Sequence, residues 1–274
     1  MRTHSCEPTL NDSQVLEFCA NGFIVLERVV ADEINSRMMA YLEEYRGQLP
    51  SEILHEEWFV DAILLNREAI GAARSLLGNA VGLPVAMANH RVESPQPAQH
   101  WHRDGGSVHG PEFNCLQAFY YPQDCPRELG TTEILPGSHL VRFSSKYMAH
   151  HGGIKDSYYA EVPAGSFLFA AYNVWHRRSK VTAQGLRNAL KWNYWRTRPP
   201  TRDWNVDPDF DIATANFSMG SPRYRELEDE TRDVAEMFMW LSGRSSEYRP
   251  MGATAWPKGG VTHYIDKPYG TPAN

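Results

Sequence analysis

Between residues 84 and 196 the chain breaks into short runs, PVAMANHRV, NCLQAFYYP, TTEILP, EVPAGSFLFAAYNVWH and RNALKWNYWR, separated by clusters of Gly, Pro, Asn and Asp. Such runs are too short for helices, and their β-branched and aromatic residues suit a pleated, half-buried surface. Strands at this regular spacing indicate an antiparallel sandwich or jelly roll. The flanks read differently. Ser13 is placed to cap a short helix with Val15, Leu16, Phe18 and Cys19 on its apolar face, closed by Asn21-Gly22. FIVLERVV then reads as a strand, and Asp32 opens a second helix with Ile34, Met38, Met39 and Leu42 at helical spacing. A third helix is expected over 66–77, stopped by Gly78, and a fourth over 221–243 with Leu227, Val234, Phe238 and Leu241 inward. The last thirty residues, rich in Pro and Gly, read as an extended tail. The expectation is one domain over residues 1–274, with a jelly-roll core at about 84–200 and helices from both ends packed outside it.

The 274 residues suffice for a continuous core, and 42% hydrophobic with 22% charged residues is ordinary for a soluble globular chain. A net charge of −6 argues against nucleic acid or an anionic membrane as the main partner. Arg177, Arg178 and Lys180 form a local basic spot, read either as a contact for a small anion or as a solvated face. Cys6, Cys19, Cys115 and Cys125 form no CxxC pair, the polar start MRTHSCEPTLNDSQ lacks the apolar core of a signal peptide, and no apolar run is long enough to span a bilayer. A reducing, cytoplasmic location and buried free thiols are expected. Several of the eight tryptophans fall close to histidines, which suits either an aromatic-lined pocket or plain core.

The stretch QHWHRDGGS carries His102 and Asp104 two residues apart. On a strand both project to one face, so an imidazole and a carboxylate reach a common point, as metal ligands must. His176 follows 74 residues later, and Arg187 eleven after that. A hairpin centred between Val181 and Thr182 would set Arg187 directly opposite His176 and on the same face. A guanidinium inside a barrel is costly unless it meets an anion, and a ligand carboxylate fits its planar fork. Two histidines and one carboxylate form the facial triad of non-haem Fe(II) oxygenases. Zinc favours four tetrahedral ligands, and the chain has no HExxH or CxxC.

The opening QVLEFCANGFIVLERVV, the HWHRD box, LGTTEILPGSHL at 129–140 and WHRRSKVTAQGLRNALKW together resemble the phytanoyl-CoA dioxygenase (PhyH) family of Fe(II)- and 2-oxoglutarate-dependent oxygenases. The resemblance implies a double-stranded β-helix, mainly β and cupin-like, with iron on His102, Asp104 and His176. It implies that Arg187 grips the far carboxylate of 2-oxoglutarate, with Asn89 and Gln117 as further co-substrate contacts. O2 is then the second co-substrate, and a C–H bond of a small organic molecule is hydroxylated with release of succinate and CO2. The family often has a hydroxyl residue two after the distal histidine, where this chain has Arg178. Trp101, Arg103, Tyr120, Tyr172, Asn173 and Trp175 are candidates for the substrate pocket.

Other histidines read less sharply. His139 in PGSH is expected to hold its loop through backbone hydrogen bonds, and His90 and His100 to be pocket wall or surface. His109, His150 and His151 are read as solvated, with His109 alternatively at the entrance. Three readings compete with the oxygenase: a non-catalytic binding module, a halogenase and a zinc hydrolase. The first is usually marked by a lost ligand, and the second needs Gly or Ala where this chain keeps Asp104.

Overall fold

The computed structural model describes residues 2–105, 110–141, 145, 147–148, 150–212, 215 and 227–248, with backbone alone for 227–231. Among the described residues twelve strands run in chain order: β1 Thr3–His4, β2 Phe23–Leu26, β3 Val81–Gly82, β4 Ala88–Asn89, β5 Trp101–His102, β6 Cys115–Tyr121, β7 Thr132–Ile134, β8 Tyr147–Met148, β9 Tyr158–Tyr159, β10 Ser166–Ala171, β11 His176–Arg178 and β12 Leu190–Trp195. They form two antiparallel sheets. The larger has the order β1-β3-β12-β6-β10-β2, with β4 also on β12; the smaller has the order β8-β5-β11-β7-β9. The two sheets face each other as the walls of a double-stranded β-helix.

Helices cover the outer face of the large sheet, α1 Asp12–Asn21, α2 Asp32–Glu44, α3 Glu57–Phe59 and α4 Arg67–Leu77, and α5 Leu227–Leu241 packs on α1. Alternation along β6 and β12 explains this cover. Tyr120, opposite Leu190, points outward and donates its hydroxyl to Asn35 of α2 at 2.6 Å. Trp192 and Tyr194 also face the helices; Trp192 meets the Phe59 ring edge-on at 6.0 Å, and the Tyr194 hydroxyl donates to the Leu64 carbonyl. The intervening Gln117, Phe119, Lys191 and Asn193 point into the space between the sheets. Behind the small sheet, Trp101, Leu135, Met148 and Trp175 make a separate apolar cluster.

Helix α1 is capped by Asn11 rather than Ser13. The Asn11 side chain accepts from the Gln14 amide while the Gln14 side chain accepts from the Asn11 amide, each at 3.0 Å, so two otherwise unpartnered donors are satisfied reciprocally. Asp32 does begin α2, and Asn66 caps α4, which ends at Gly78. FIVLERVV is extended only to Leu26, because Arg28 turns to φ +54° and the Val29 and Val30 amides bond to the Gly165 carbonyl. In α5, Val234, Phe238 and Leu241 are buried as expected, whereas the Leu227 side chain, residues 221–226 and the C-terminal tail lie outside the described residues.

The hairpin joining His176 to Arg187 does not form. β11 already has a partner on each edge, His102 of β5 and Ile134 of β7 on either side of His176. The intervening SKVTAQGL crosses to the other sheet, where Arg187 exchanges two backbone hydrogen bonds of 2.8 Å with Val92. His176 and Arg187 therefore face each other from opposite walls.

The PGSH loop locks the N-terminal helix onto the barrel. His139 is buried and its Nε2 donates to the Cys19 carbonyl at 3.0 Å, as the backbone-holding reading requires. Gly22, which ends α1 at φ +78°, lies under that ring; a Cβ there would stand 2.4 Å from His139 Nδ1. Gly22→Ala is expected to destabilise the protein by roughly 1–3 kcal/mol, from left-handed strain plus displacement of the ring. In thermal unfolding that is a drop of several degrees, at about 2–4 °C per kcal/mol for a chain of this size. An unchanged midpoint would show that the contact carries no stability.

Candidate metal and co-substrate site

β5 ends at His102, and the chain then turns through Asp104 and Gly105. The Gly105 amide donates to the Tyr172 carbonyl at 2.8 Å, so close that a Cβ would come within 3.0 Å of that residue. This close approach draws the Asp104 carboxylate back beside His102. Strand register then supplies the third group, since His102 and His176 are paired residues on β5 and β11. Asp104 Oδ1 lies 3.8 Å from His102 Nε2, and Oδ2 lies 3.6 Å from His176 Nε2. One ligand atom from each residue falls within 4.8 Å of the others, as a single ion would require.

The ring orientations suit metal binding. His102 Nδ1 is 2.9 Å from the His100 carbonyl and His176 Nδ1 is 3.1 Å from the Val174 carbonyl. A carbonyl can only accept, so each Nδ1 carries the proton and each Nε2 presents its lone pair to the shared point. Burial pushes the His176 pKa down to about 3, outweighing the pull of Asp104, so the ring stays neutral over the physiological range. Burial alone would raise the pKa of Asp104. His176, protonated in that acid range, the Lys191 ammonium and the Gln117 amide together hold it below the usual carboxylate range. A carboxylate and two imidazoles, each turned with Nε2 toward the shared point, make a donor set that fits Fe(II), with half its coordination positions left for other ligands.

The large sheet braces this set. Gln117 Nε2 donates to Asp104 Oδ2 at 2.6 Å, and Lys191 Nζ is ion-paired to the same oxygen. Gln117, expected as a co-substrate contact, is here hydrogen-bonded to the Asp104 carboxylate. Arg187 is 2% exposed; its Nη2 donates to Thr132 Oγ1 at 3.2 Å, while its Nε has no hydrogen-bond partner. Among the described residues no carboxylate pairs with it. A buried guanidinium with spare donors and no counter-ion fits the distal carboxylate of 2-oxoglutarate.

Asn89 does not join them. It pairs with Leu190, whose side chain faces the helices, and its Nδ2 donates to Asn188 Oδ1 at 2.9 Å. The alternation instead turns its neighbours Ala88 and His90 inward. His90 lines the hollow beside the metal site, and burial with the nearby Lys191 and Arg187 charges pushes its pKa down to about 3.

Of the substrate-pocket candidates only Tyr172 lines that cavity, which has a volume of about 450 Å³ and extends to Asp104, Gln117 and Lys191. Tyr120 points to α2. Trp101 and Arg103 alternate with His102 and Asp104, so they project behind the small sheet. There the Trp101 Nε1 donates to the Gly152 carbonyl, and Arg103 lies 5.1 Å over the Trp175 ring. Arg103, a candidate for the substrate pocket, is instead buried on that outer side. Asn173 donates to the His139 carbonyl at 3.0 Å and serves the PGSH loop. Lys191 escaped the sequence reading, although it lies in strand phase with Arg187, four residues on.

Comparisons with known proteins agree with this geometry. The apo structure of HygX from Streptomyces hygroscopicus superposes with a TM-score of 0.58 at 17% identity, covering 72% of this chain and 90% of that one. HygX has also been solved with nickel and 2-oxoglutarate bound, with a TM-score of 0.59 at 16% identity and the same coverage. SnoK, an alpha-ketoglutarate-dependent carbocyclase from nogalamycin biosynthesis, gives a TM-score of 0.56 at 20% identity over 81% of this chain and 98% of that one. These likenesses establish the fold. No curated protein matches the chain. The model of the family described as phytanoyl-CoA dioxygenase (PhyH) matches residues 18–189, well over half the chain, and the protein belongs to that family.

Proposed function

We propose that His102, Asp104 and His176 hold Fe(II), that Arg187 seats the distal carboxylate of 2-oxoglutarate, and that the protein hydroxylates a small organic molecule. As a family member it is a non-haem Fe(II)- and 2-oxoglutarate-dependent oxygenase. The observation that carries the residue assignment is the pairing of a converged His-Asp-His set with a buried, counter-ion-free guanidinium on the facing wall. When bound, iron and 2-oxoglutarate supply O2-dependent oxidation, leaving succinate and CO2. The chain's own residues do the rest. Gln117 fixes the Asp104 oxygen, the His100 and Val174 carbonyls fix the imidazole faces, and Phe119, 5.8 Å from the His176 ring, keeps that side of the site dry. The substrate enters through the cavity lined by Tyr172 and His90. Of the four cysteines expected as buried thiols, Cys19 and Cys125 are buried, whereas Cys6 and Cys115 are only half-buried, and no helix among the described residues is long and apolar enough to cross a membrane.

Asp104→Ala is expected to reduce iron-dependent succinate formation from 2-oxoglutarate to a slow residual level, with the circular dichroism spectrum unchanged. Turnover at the wild-type rate would remove Asp104 from the metal set.

Arg187→Lys keeps the charge but loses the planar fork. The apparent affinity for 2-oxoglutarate should fall by about tenfold or more, the size of one charge-assisted hydrogen bond, while iron affinity stays level. An unchanged 2-oxoglutarate dependence would assign the carboxylate to another residue, with Arg178 the nearest alternative on the facing wall.

A further inference from the structure

Among the described residues that line the cavity beside the metal site, only Lys191 and Asp104 carry a charge, the buried His90 being neutral. Lys191 Nζ is ion-paired to Asp104 Oδ2, the oxygen that also accepts from Gln117 Nε2 and lies 3.6 Å from His176 Nε2. The ammonium therefore stands against the atoms that would meet a divalent ion. Bracing alone does not call for a charge there, since the neutral Gln117 amide already holds that oxygen. An ammonium and a divalent cation on one carboxylate repel, and away from bulk water the repulsion is stronger. Each weakens the other's hold.

The same wall offers the ammonium a second place. Asn193 follows two residues along β12 on the same face, and Gln117 is its register partner on β6. Gln117 Oε1 and Asn193 Oδ1 are buried and have no hydrogen-bond partner, and both residues line the cavity with Lys191. A buried carbonyl oxygen without a donor is costly, and two of them here adjoin a cation that has three N–H groups and one acceptor among the described residues. The four-carbon stem lets the ammonium change partners by bond rotation alone, the strand staying in place. The Phe119 ring, whose centroid is 5.3 Å from Lys191 Nζ, offers an aromatic face that favours a cation nearby.

We propose that Lys191 is a movable counter-cation that sets how tightly the site holds its metal. Its ammonium sits on Asp104 Oδ2 while that carboxylate carries no metal, and moves to Gln117 Oε1 and Asn193 Oδ1 as the metal binds. The inference rests on the Fe(II) reading of His102, Asp104 and His176 and adds a positioning residue to that site. The Asp104 charge is then met at every stage, first by the lysine and then by the metal. Metal entry gives up an ion pair and satisfies two orphaned acceptors, so the ion is held less tightly than the three ligands alone would hold it.

The test is calorimetric titration of the full chain, stripped of metal with EDTA, with Mn(II) as the probe. Lys191→Met removes the charge, and Lys191→Gln removes it while keeping a donor for Asp104. Both variants should bind Mn(II) at least about tenfold tighter than the wild type, and Lys191→Arg should stay within about threefold of it. The stripped Lys191→Met protein should unfold several degrees below the stripped wild type, with the two midpoints equal once Mn(II) is bound. Asn193→Ala should weaken Mn(II) binding by about threefold or more, and should have no effect when Lys191 is already Met. Level or weaker Mn(II) binding by both the Met and Gln variants overturns the proposal, since the lysine would then be a brace only. An Asn193→Ala effect that persists undiminished beside Lys191→Met removes the second place for the ammonium and overturns it too. Asp104→Ala is the control for the metal reading. If that variant binds Mn(II) as the wild type does, the metal set is misassigned and the proposal falls with it. Loss of binding there, with level affinity in the Lys191 variants, counts against the lysine alone.

Discussion

The two sheets meet across polar side chains, and the site depends on how those are matched. Two bridges span the gap. Thr132 of the small sheet accepts from both Tyr121, at 2.7 Å, and Arg187 of the large sheet. Asp104, just past the end of β5, takes Gln117 and Lys191 from the large sheet. Buried polar groups left unmatched cost several kcal/mol each, so these contacts tolerate little slippage between the walls. The three groups proposed to hold the metal are thereby kept at one spacing before any ion arrives. A purely apolar interior could slide and repack without penalty of that kind.

Much of this was legible in the sequence wherever it depended on local periodicity. His102 and Asp104 share a side because strand side chains alternate, and the same rule sends Trp101 and Arg103 behind the sheet. The helices at 32–44 and 67–77 followed from apolar spacing with Asp32 and Gly78 as punctuation. What failed was long-range pairing. Nothing local in SKVTAQGL distinguishes a tight hairpin from a crossing between walls, and only the occupancy of both edges of β11 decides it. Asn89 was lost to a shift of one residue in phase, since its neighbour His90 takes the inward position. The aromatic residues near the histidines mostly build a second, outer cluster around Trp101 and Trp175, because proximity in sequence to a ligand says nothing about which face a strand shows.

The ion pair Arg177–Glu133 illustrates the same division of labour. Arg177 alternates with His176 and projects behind the small sheet, where its Nε donates to Glu133 Oε2 at 2.6 Å and its guanidinium lies 4.6 Å over the Trp101 ring. Glu133 also accepts from the Ser157 hydroxyl at 2.7 Å, so the buried charge is met twice. The sequence run WHRRSK therefore sends one arginine to each side of the wall, one to support the strand and one toward the space between the sheets. Of the basic spot read from the sequence, Arg177 and Arg178 are buried, whereas Lys180 is exposed, as a solvated face would have it.

Both edges of the large sheet come from the beginning of the chain. β1 closes one side and β2 the other, whereas the central strands β12, β6 and β10 are all made later. Phe23–Leu26 finds its partner only when Phe167–Ala170 has been synthesised. At roughly 5–20 residues per second, the first strands wait on the order of ten seconds on the ribosome before their hydrogen-bonding partners exist. The edges of the sheet are thus made before its middle, and the full sheet can close only once β12 has been synthesised. During that interval β2 is an unpaired apolar segment, and its attachment to helix α1 through the turn at Gly22 gives it a local surface to rest on.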